Sequence, residues 1–219
     1  AQRLALMLQN QTEEEFADSR FQVLSELTRL RQLCCDPALV YENYEGGSAK
    51  LDLCIELIQS AVESGHKILL FSQFTSMIEI LTARLQEESI SYFVLQGSTK
   101  KEQRAQMVEQ FNRDDTSVFC ISLKAGGTGL NLTGADIVIH YDPWWNVAVE
   151  NQATDRAHRI GQKNVVTVYK LIAKGTIEEK IIKLQQMKKE LAEEILSGDE
   201  IKTASFQREE LLELLEERF

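Results

Sequence analysis

Two arginines in residues 152–162 (QATDRAHRIGQ) have the side chains and the spacing for phosphate chemistry. Arg156 and Arg159 are three positions apart, so on a helix they would project from one face. A guanidinium group matches the negative charge that spreads over phosphoryl oxygens during transfer. The segment therefore predicts a pair of arginine fingers. The alternative is that both arginines pair with surface acids such as Asp155.

A glycine-rich loop lies upstream at residues 122–132 (SLKAGGTGLNL). Three glycines in four positions permit tight turns and close backbone approach, and the N–H groups of such a loop can meet phosphate oxygens. The alternative is a plain loop between a strand and a helix. The segment matches neither the dinucleotide pattern GxGxxG nor the phosphate-loop pattern GxxxxGK[ST].

The chain is a poor candidate for a self-sufficient ATPase. The pattern GxxxxGK[ST], which cradles the β- and γ-phosphates in one large class of ATPases, does not occur in the sequence. Asp136 and Asp142 are single acids at strand ends, without a second acid to share a Mg²⁺ ion. Four cysteines without a CxxC pair and three scattered histidines suggest no metal site, and a reducing cytosol is the simplest setting.

These residues are predicted to sit on an α/β framework. Short apolar runs alternate with helical patterns, which is typical of a parallel sheet covered by helices on both faces. Ligands bind such sheets at the carboxyl ends of the strands. Residues 1–40 and the segment from Thr176 onward are expected to be helical. The predicted strands are residues 67–72, 92–96, 117–123, 136–141 and 165–172.

The charge of the chain restricts how it can bind DNA. With 34 acids against 24 lysines and arginines, the net charge is −10, whereas proteins that grip DNA alone are usually basic. Any DNA contact must be local and is expected to need a second lobe. No run of about 18 apolar residues occurs, so no membrane partner is expected.

Several motifs in order carry a family resemblance. Residues 122–146 (SLKAGGTGLNLTGADIVIHYDPWWN) and 152–162 closely resemble motifs V and VI of Swi/Snf-type helicase-like ATPases of helicase superfamily two. KILLFSQF at 67–74 resembles motif IV, and GSTKKEQRAQMVEQF at 97–111 resembles the segment after it. LRQLCCDP at 30–37 is similar to bacterial members, which makes the bacterial cytoplasm and its nucleoid the expected location.

The resemblance implies a RecA-like parallel sheet with helical N- and C-terminal extensions, forming the second lobe of a DNA-dependent ATPase. Arg156 and Arg159 match the arginine fingers. The expected partners are a first lobe, which would hold most of the ATP and its Mg²⁺, and double-stranded DNA. The positions that match the family's approach to the nucleotide are Gly129, Asn131, Gln152 and Asp155.

The resemblance also implies DNA contacts. They fall on a loop after the second strand, on the glycine-rich loop and on a tryptophan. For the tryptophan, the alternative is packing in the core. These positions are Gly97, Ser98, Thr99, Ser122, Lys124, Gly126, Gly127 and Trp144. The family usually has proline where this chain has Val147, so the next helix is expected to start slightly differently.

The predicted domains are a helical lead-in at 1–47, the RecA-like lobe at 48–175 and a helical brace or tail at 176–219. Relatives use that last element to brace two lobes, and the alternative is a helix that covers this lobe's own sheet. Two other functions stay open at this point. One is an interaction module derived from a motor lobe, and the other is a dinucleotide-binding enzyme, which the missing GxGxxG disfavours.

Overall fold

The computed structural model describes residues 12–123, 125, 130–159, 161–162 and 164–195. They divide into two compact units, one formed by Cys35–Ile172 and the other by Ala1–Cys34 together with Ala173–Phe219. The division predicted from the sequence, at residues 47 and 175, remains a prediction. The predicted tail beyond residue 195 lies outside the described residues.

The larger unit is built on a five-stranded parallel sheet with the strand order β2-β3-β1-β4-β5. The strands are β1 (Ile68–Ser72), β2 (Tyr92–Leu95), β3 (Val118–Ser122), β4 (Ile137–His140) and β5 (Thr167–Lys170). The described helices are α1 (Glu13–Cys35), α2 (Ala49–Glu63), α3 (Thr75–Glu87), α4 (Lys101–Arg113), α5 (Val147–Thr154) and α6 (Ile177–Ile195), with a 3₁₀ turn at Pro37–Leu39. The predicted α/β class with a parallel sheet is confirmed.

The alternation of side chains along β1 explains how both faces of the sheet are covered. All five of its residues are buried. Ile68 and Leu70 pack into a cluster with α2 and α3, whereas Leu69 and Phe71 pack into a second cluster with α4 and α5. A central strand of a parallel sheet needs apolar residues at every position for this reason.

Thr99 and Glu102 have the spacing of a capping box, which predicts a helix start at Thr99, but the structure shows a turn there. The Thr99 hydroxyl accepts a hydrogen bond from the Gln96 N–H (3.0 Å), and the Thr99 N–H donates to the Gln96 carbonyl (3.0 Å). Thr99 thus closes a turn instead of capping a helix. The helix begins two residues later at Lys101, with Lys100 at the N-cap position.

The smaller unit contributes α1 and α6, each with its own N-terminal cap. Before α1, the Glu15 N–H donates to the Thr12 hydroxyl (3.3 Å) and the Glu15 carboxylate accepts from the Thr12 N–H (2.8 Å), a reciprocal capping box. Before α6, the Thr176 hydroxyl accepts from the Glu178 N–H (3.2 Å), as the sequence predicts for a cap. None of the described helices has the length and apolar character needed to cross a membrane.

Candidate functional site

The two arginines lie in the turns that follow α5 and not on a helix, so the prediction of one shared helical face is wrong. The helix ends at Thr154, with Asp155 at its C-cap. The Arg156 carbonyl accepts from the Leu132 N–H (3.0 Å) and the Arg159 carbonyl accepts from the Gln162 N–H (3.0 Å). These bonds fold the backbone into turns and tie it to the loop after β3.

The Arg156 guanidinium lies near the carboxyl ends of β1 and β4. Its central carbon is 5.4 Å from the centre of the Phe71 ring, and Phe71 stacks on His140 at the end of β4 (5.5 Å, 19° between planes). Arg156 is 4% exposed, whereas Arg159 is exposed. Burial, and then the nearby charge of Arg159, lower the pKa of Arg156 to about 10, so it remains a cation at neutral pH.

A buried histidine, His140, stacks on the Phe71 ring that Arg156 contacts. The His140 Nε2 lies 3.0 Å from the Thr154 hydroxyl, in the last turn of α5. Burial lowers the pKa of His140 to about 4, with Lys170 and Arg156 acting in the same direction and Glu150 opposing them. The imidazole is therefore neutral at pH 7, and it stacks on Phe71 as an uncharged ring.

Glu150 is a buried carboxylate that the sequence analysis missed. It is 1% exposed, accepts from the Trp144 N–H (2.6 Å) and pairs with the Lys170 ammonium (2.6 Å). It therefore joins α5 to the loop after β4 and to the edge strand β5. The Trp144 side chain packs partly buried against the cluster around Phe71, which fits the core-packing alternative. Its DNA role remains a prediction.

Asp142 joins the ends of two neighbouring strands. Its carboxylate is buried and accepts from the Ser72 hydroxyl (2.6 Å) and from the Gln73 N–H (3.2 Å). The sequence treated this residue only as an unpaired acid at a strand end, and the structure gives it a positioning role between β1 and β4.

The glycine-rich loop is only partly described. Lys124, Gly126, Gly127 and Gly129 lie outside the described residues, so their predicted contacts stay predictions. Ser122, the last residue of β3, is buried.

The far end of this loop is fastened to the last turn of α4. The Asn112 amide donates to the Asn131 carbonyl (2.8 Å) and its oxygen accepts from the Gly134 N–H (2.9 Å). Asn131 itself is exposed.

Arg104 connects the near end of the same loop to the turn after β2. Its guanidinium donates to the carbonyls of Thr99 (2.8 Å), Gln96 (3.3 Å), Gly97 (3.2 Å) and Ala125 (2.8 Å). Gly97 and Ser98, at the tip of this turn, are exposed. Arg104 lies in the segment at 97–111 that resembles the family, but its residue type and position alone indicate no role for it.

Gln162, the last residue of the arginine segment, fastens that segment to the glycine-rich loop. Its amide nitrogen donates to the carbonyls of Ala135 (2.7 Å), Ala157 (3.1 Å) and Thr133 (3.3 Å). Gln152 and Asp155, predicted to face the nucleotide, are both exposed near the end of α5. The structure thus brings the arginine segment and the glycine-rich loop together at one side of the sheet.

Comparisons with known proteins agree with this arrangement. Residues 49–161 match the family profile of the helicase conserved C-terminal domain. An uncharacterized ATP-dependent helicase of Mycoplasma pneumoniae is 45% identical over 202 residues, which cover 90% of this chain but 19% of that protein. The chain therefore spans about a fifth of the length of this relative.

Two solved structures from Sulfolobus solfataricus share the fold. The C-terminal domain of a SWI2/SNF2 ATPase superposes with a TM-score of 0.72 at 30% identity, covering 98% of this chain and 90% of that chain. A SWI2/SNF2 ATPase core in complex with double-stranded DNA gives a TM-score of 0.72 at 34% identity, covering 89% of this chain and 41% of that chain. The RecA-like fold is thereby confirmed, and this chain belongs to the Swi/Snf family of helicase-like ATPases, in which it forms the C-terminal lobe.

Proposed function

We propose that this chain is the second motor lobe of an ATP-dependent translocase that moves along double-stranded DNA and remodels bound proteins without separating the strands. The observation that carries the proposal is Arg156 beside Phe71 at the carboxyl end of β1, with Arg159 three residues further along the chain, in a RecA-like lobe whose own sequence has no phosphate loop. A lobe that has cations at its ligand-binding edge but no phosphate loop is suited to complete a nucleotide site whose other half lies on a second lobe.

The electrostatics of the two arginines favour an anion between this lobe and a neighbour. Arg159 is close enough to lower the pKa of Arg156, which means that two like charges repel each other at this edge. A triphosphate would relieve that repulsion and would gain charge-assisted hydrogen bonds. Arg159 is exposed and is the arginine that we assign to the phosphoryl group. Arg156 packs against Phe71, fixes the turn and adds a second positive charge near Arg159.

The residues present fit part of an ATP site and not a Mg²⁺ site. Guanidinium groups match phosphate oxygens, and exposed Gln152 and Asp155 lie beside them at the end of α5. Within the described residues, no three His, Cys, Asp or Glu side chains lie together as metal ligands. When bound, ATP supplies the phosphoryl group whose transfer drives the motor. We propose that the first lobe holds most of the nucleotide and supplies the Mg²⁺ ligands.

DNA is proposed to lie against the turn after β2. Gly97 and Ser98 are exposed at its tip, and a Cβ at Gly97 would meet no atom within 4 Å, so the turn is open to a partner. The net charge of −10 means that this lobe alone should hold DNA weakly. Alternate contacts by the two lobes, driven by opening and closing of the cleft, would then move the duplex.

DNA-stimulated ATP hydrolysis by the full-length protein tests the proposal. We expect Arg159→Ala to lower turnover by a factor on the order of 10³ or more, the size of an arginine finger in other phosphoryl-transfer enzymes. Arg113→Ala is a matched control because Arg113 is 78% exposed and pairs only with Glu109 on the same helix among the described residues. Normal turnover by the Arg159→Ala protein, or steady ATP hydrolysis by this chain alone, would refute the proposal.

A further inference from the structure

Helix α4 holds both ends of the glycine-rich loop and also the turn proposed to face DNA. Arg104, in its first turn, contacts Ala125 at the start of the loop, and Asn112, in its last turn, contacts Asn131 and Gly134 near the end. The two side chains are eight residues apart, or about 12 Å along the helix axis at 1.5 Å per residue. The described residues at the two ends of the loop are therefore each fastened to α4.

Among the residues that the structure describes, the four acceptors of Arg104 are backbone carbonyls. Three belong to the turn (Gln96, Gly97 and Thr99) and the fourth belongs to Ala125. The contact therefore fixes the main chain of both segments, whatever side chains they carry. A guanidinium has five donors in one rigid plane. If the turn moves and the guanidinium moves with it, the geometry of the hydrogen bond from Arg104 to the Ala125 carbonyl changes as well.

We propose that Arg104 is a positioning residue that couples the DNA-facing turn to the glycine-rich loop, and through that loop to the nucleotide site. This inference rests on the proposed function. The loop continues to the arginine segment through the bond from the Leu132 N–H to the Arg156 carbonyl and through the Gln162 amide. Duplex DNA pressing on Gly97 and Ser98 thus changes the placement of Arg156 by way of Arg104.

The substitutions follow from the donor geometry. Arg104→Gln keeps a planar amide but is too short and has too few donors to reach both segments. Arg104→Lys keeps the charge and the length, but its donors radiate from one atom, so it satisfies one segment at a time. Arg113→Gln is the matched control, since Arg113 lies on the same helix, is 78% exposed and pairs with Glu109 one turn earlier.

The test is the stimulation ratio of the full-length protein, defined as ATP turnover at saturating linear duplex DNA divided by turnover without DNA. We expect Arg104→Gln to lower this ratio by about tenfold, within the range of measured coupling between sites. Arg104→Lys should give an intermediate ratio and Arg113→Gln the wild-type ratio. A purely structural role would lower both rates together and leave the ratio unchanged.

The outcomes separate this inference from the proposed function. A wild-type protein that DNA does not stimulate refutes the proposed function. A stimulated wild type with an unchanged ratio in Arg104→Gln refutes only the coupling role. If Arg104→Gln does not fold, Arg104→Lys decides, and a wild-type ratio in that variant overturns the inference.

Discussion

Replacing Gly134 with alanine tests how tightly the chain just after the glycine-rich loop packs on α4. A Cβ at this position would lie 2.9 Å from the Asn112 side-chain oxygen and 3.0 Å from the Asn112 Cα, which is backbone and cannot rotate away. Carbon atoms in contact normally lie about 3.5–4.0 Å apart, so the loop must retreat by roughly half an ångström. That retreat also lengthens the hydrogen bond from the Gly134 N–H to the Asn112 side chain.

The expected loss in the free energy of unfolding is about 2 kcal/mol, within the range for overpacked sites and including part of one hydrogen bond. Urea denaturation followed by far-UV circular dichroism measures it. Gly47→Ala is the control, because its nearest neighbour would be the Asp52 carboxylate at 4.0 Å, an ordinary contact. In a protein that already carries Asn112→Ala, the loss of stability caused by Gly134→Ala should be smaller but not zero, because the Cα of residue 112 remains. A Gly134→Ala protein as stable as Gly47→Ala would refute the described packing.

Two further predictions concern buried titratable side chains near the arginines. Glu150→Ala should lower the free energy of unfolding by about 3 kcal/mol, because it removes the acceptor of the Trp144 N–H and the partner of Lys170, a result that thermal or urea unfolding checks. For His140, the folded pKa of about 4 lies below its ordinary value of 6.5, so unfolding takes up a proton between these pH values. The stability contributed by neutral His140 is therefore present above pH 6.5 and is lost as the pH falls toward 4. The loss amounts to up to about 3 kcal/mol in the free energy of unfolding. In urea titrations at several pH values, His140→Gln should remove this part of the pH dependence.

The sequence predicts the framework well because the framework depends on local periodicity. Residues 68–71, for example, are apolar at every position, which marks a strand covered on both faces. Gly65 ends α2 in the left-handed conformation (φ +79°), as a helix-stop glycine does. The stacking of Phe71 on His140 then follows from parallel strands having their carboxyl ends together.

The details of the site depend on contacts between distant residues, which periodicity does not reveal. Thr99 and Glu102 have the spacing of a capping box, but the Thr99 hydroxyl bonds to Gln96 instead. Arg156 and Arg159 have helical spacing, but the carbonyl of Arg156 is taken by Leu132 from another segment, and the helix ends first. In the first case a hydrogen bond within a turn replaces the predicted cap, and in the second a hydrogen bond from a distant segment accompanies the end of the helix.

The buried polar residues were missed for a related reason. Glu150 reads as an ordinary acid in the first turn of a helix, and only the fold brings Lys170 to its carboxylate. Arg104 reads as one of several charged residues on a polar helix, whereas its role depends on two loops that are distant in sequence. A buried charge cannot be recognised until its partners are placed.

The claim that this lobe lends arginines to a nucleotide held by another lobe is tested most directly by single-turnover hydrolysis. The full-length protein is saturated with ATP on duplex DNA, and the rate of the first turnover is compared between wild type and Arg159→Ala, with ATP affinity measured separately. The account predicts a rate lower by on the order of 10³ with bound ATP retained. A first-turnover rate equal to that of the wild type would contradict it.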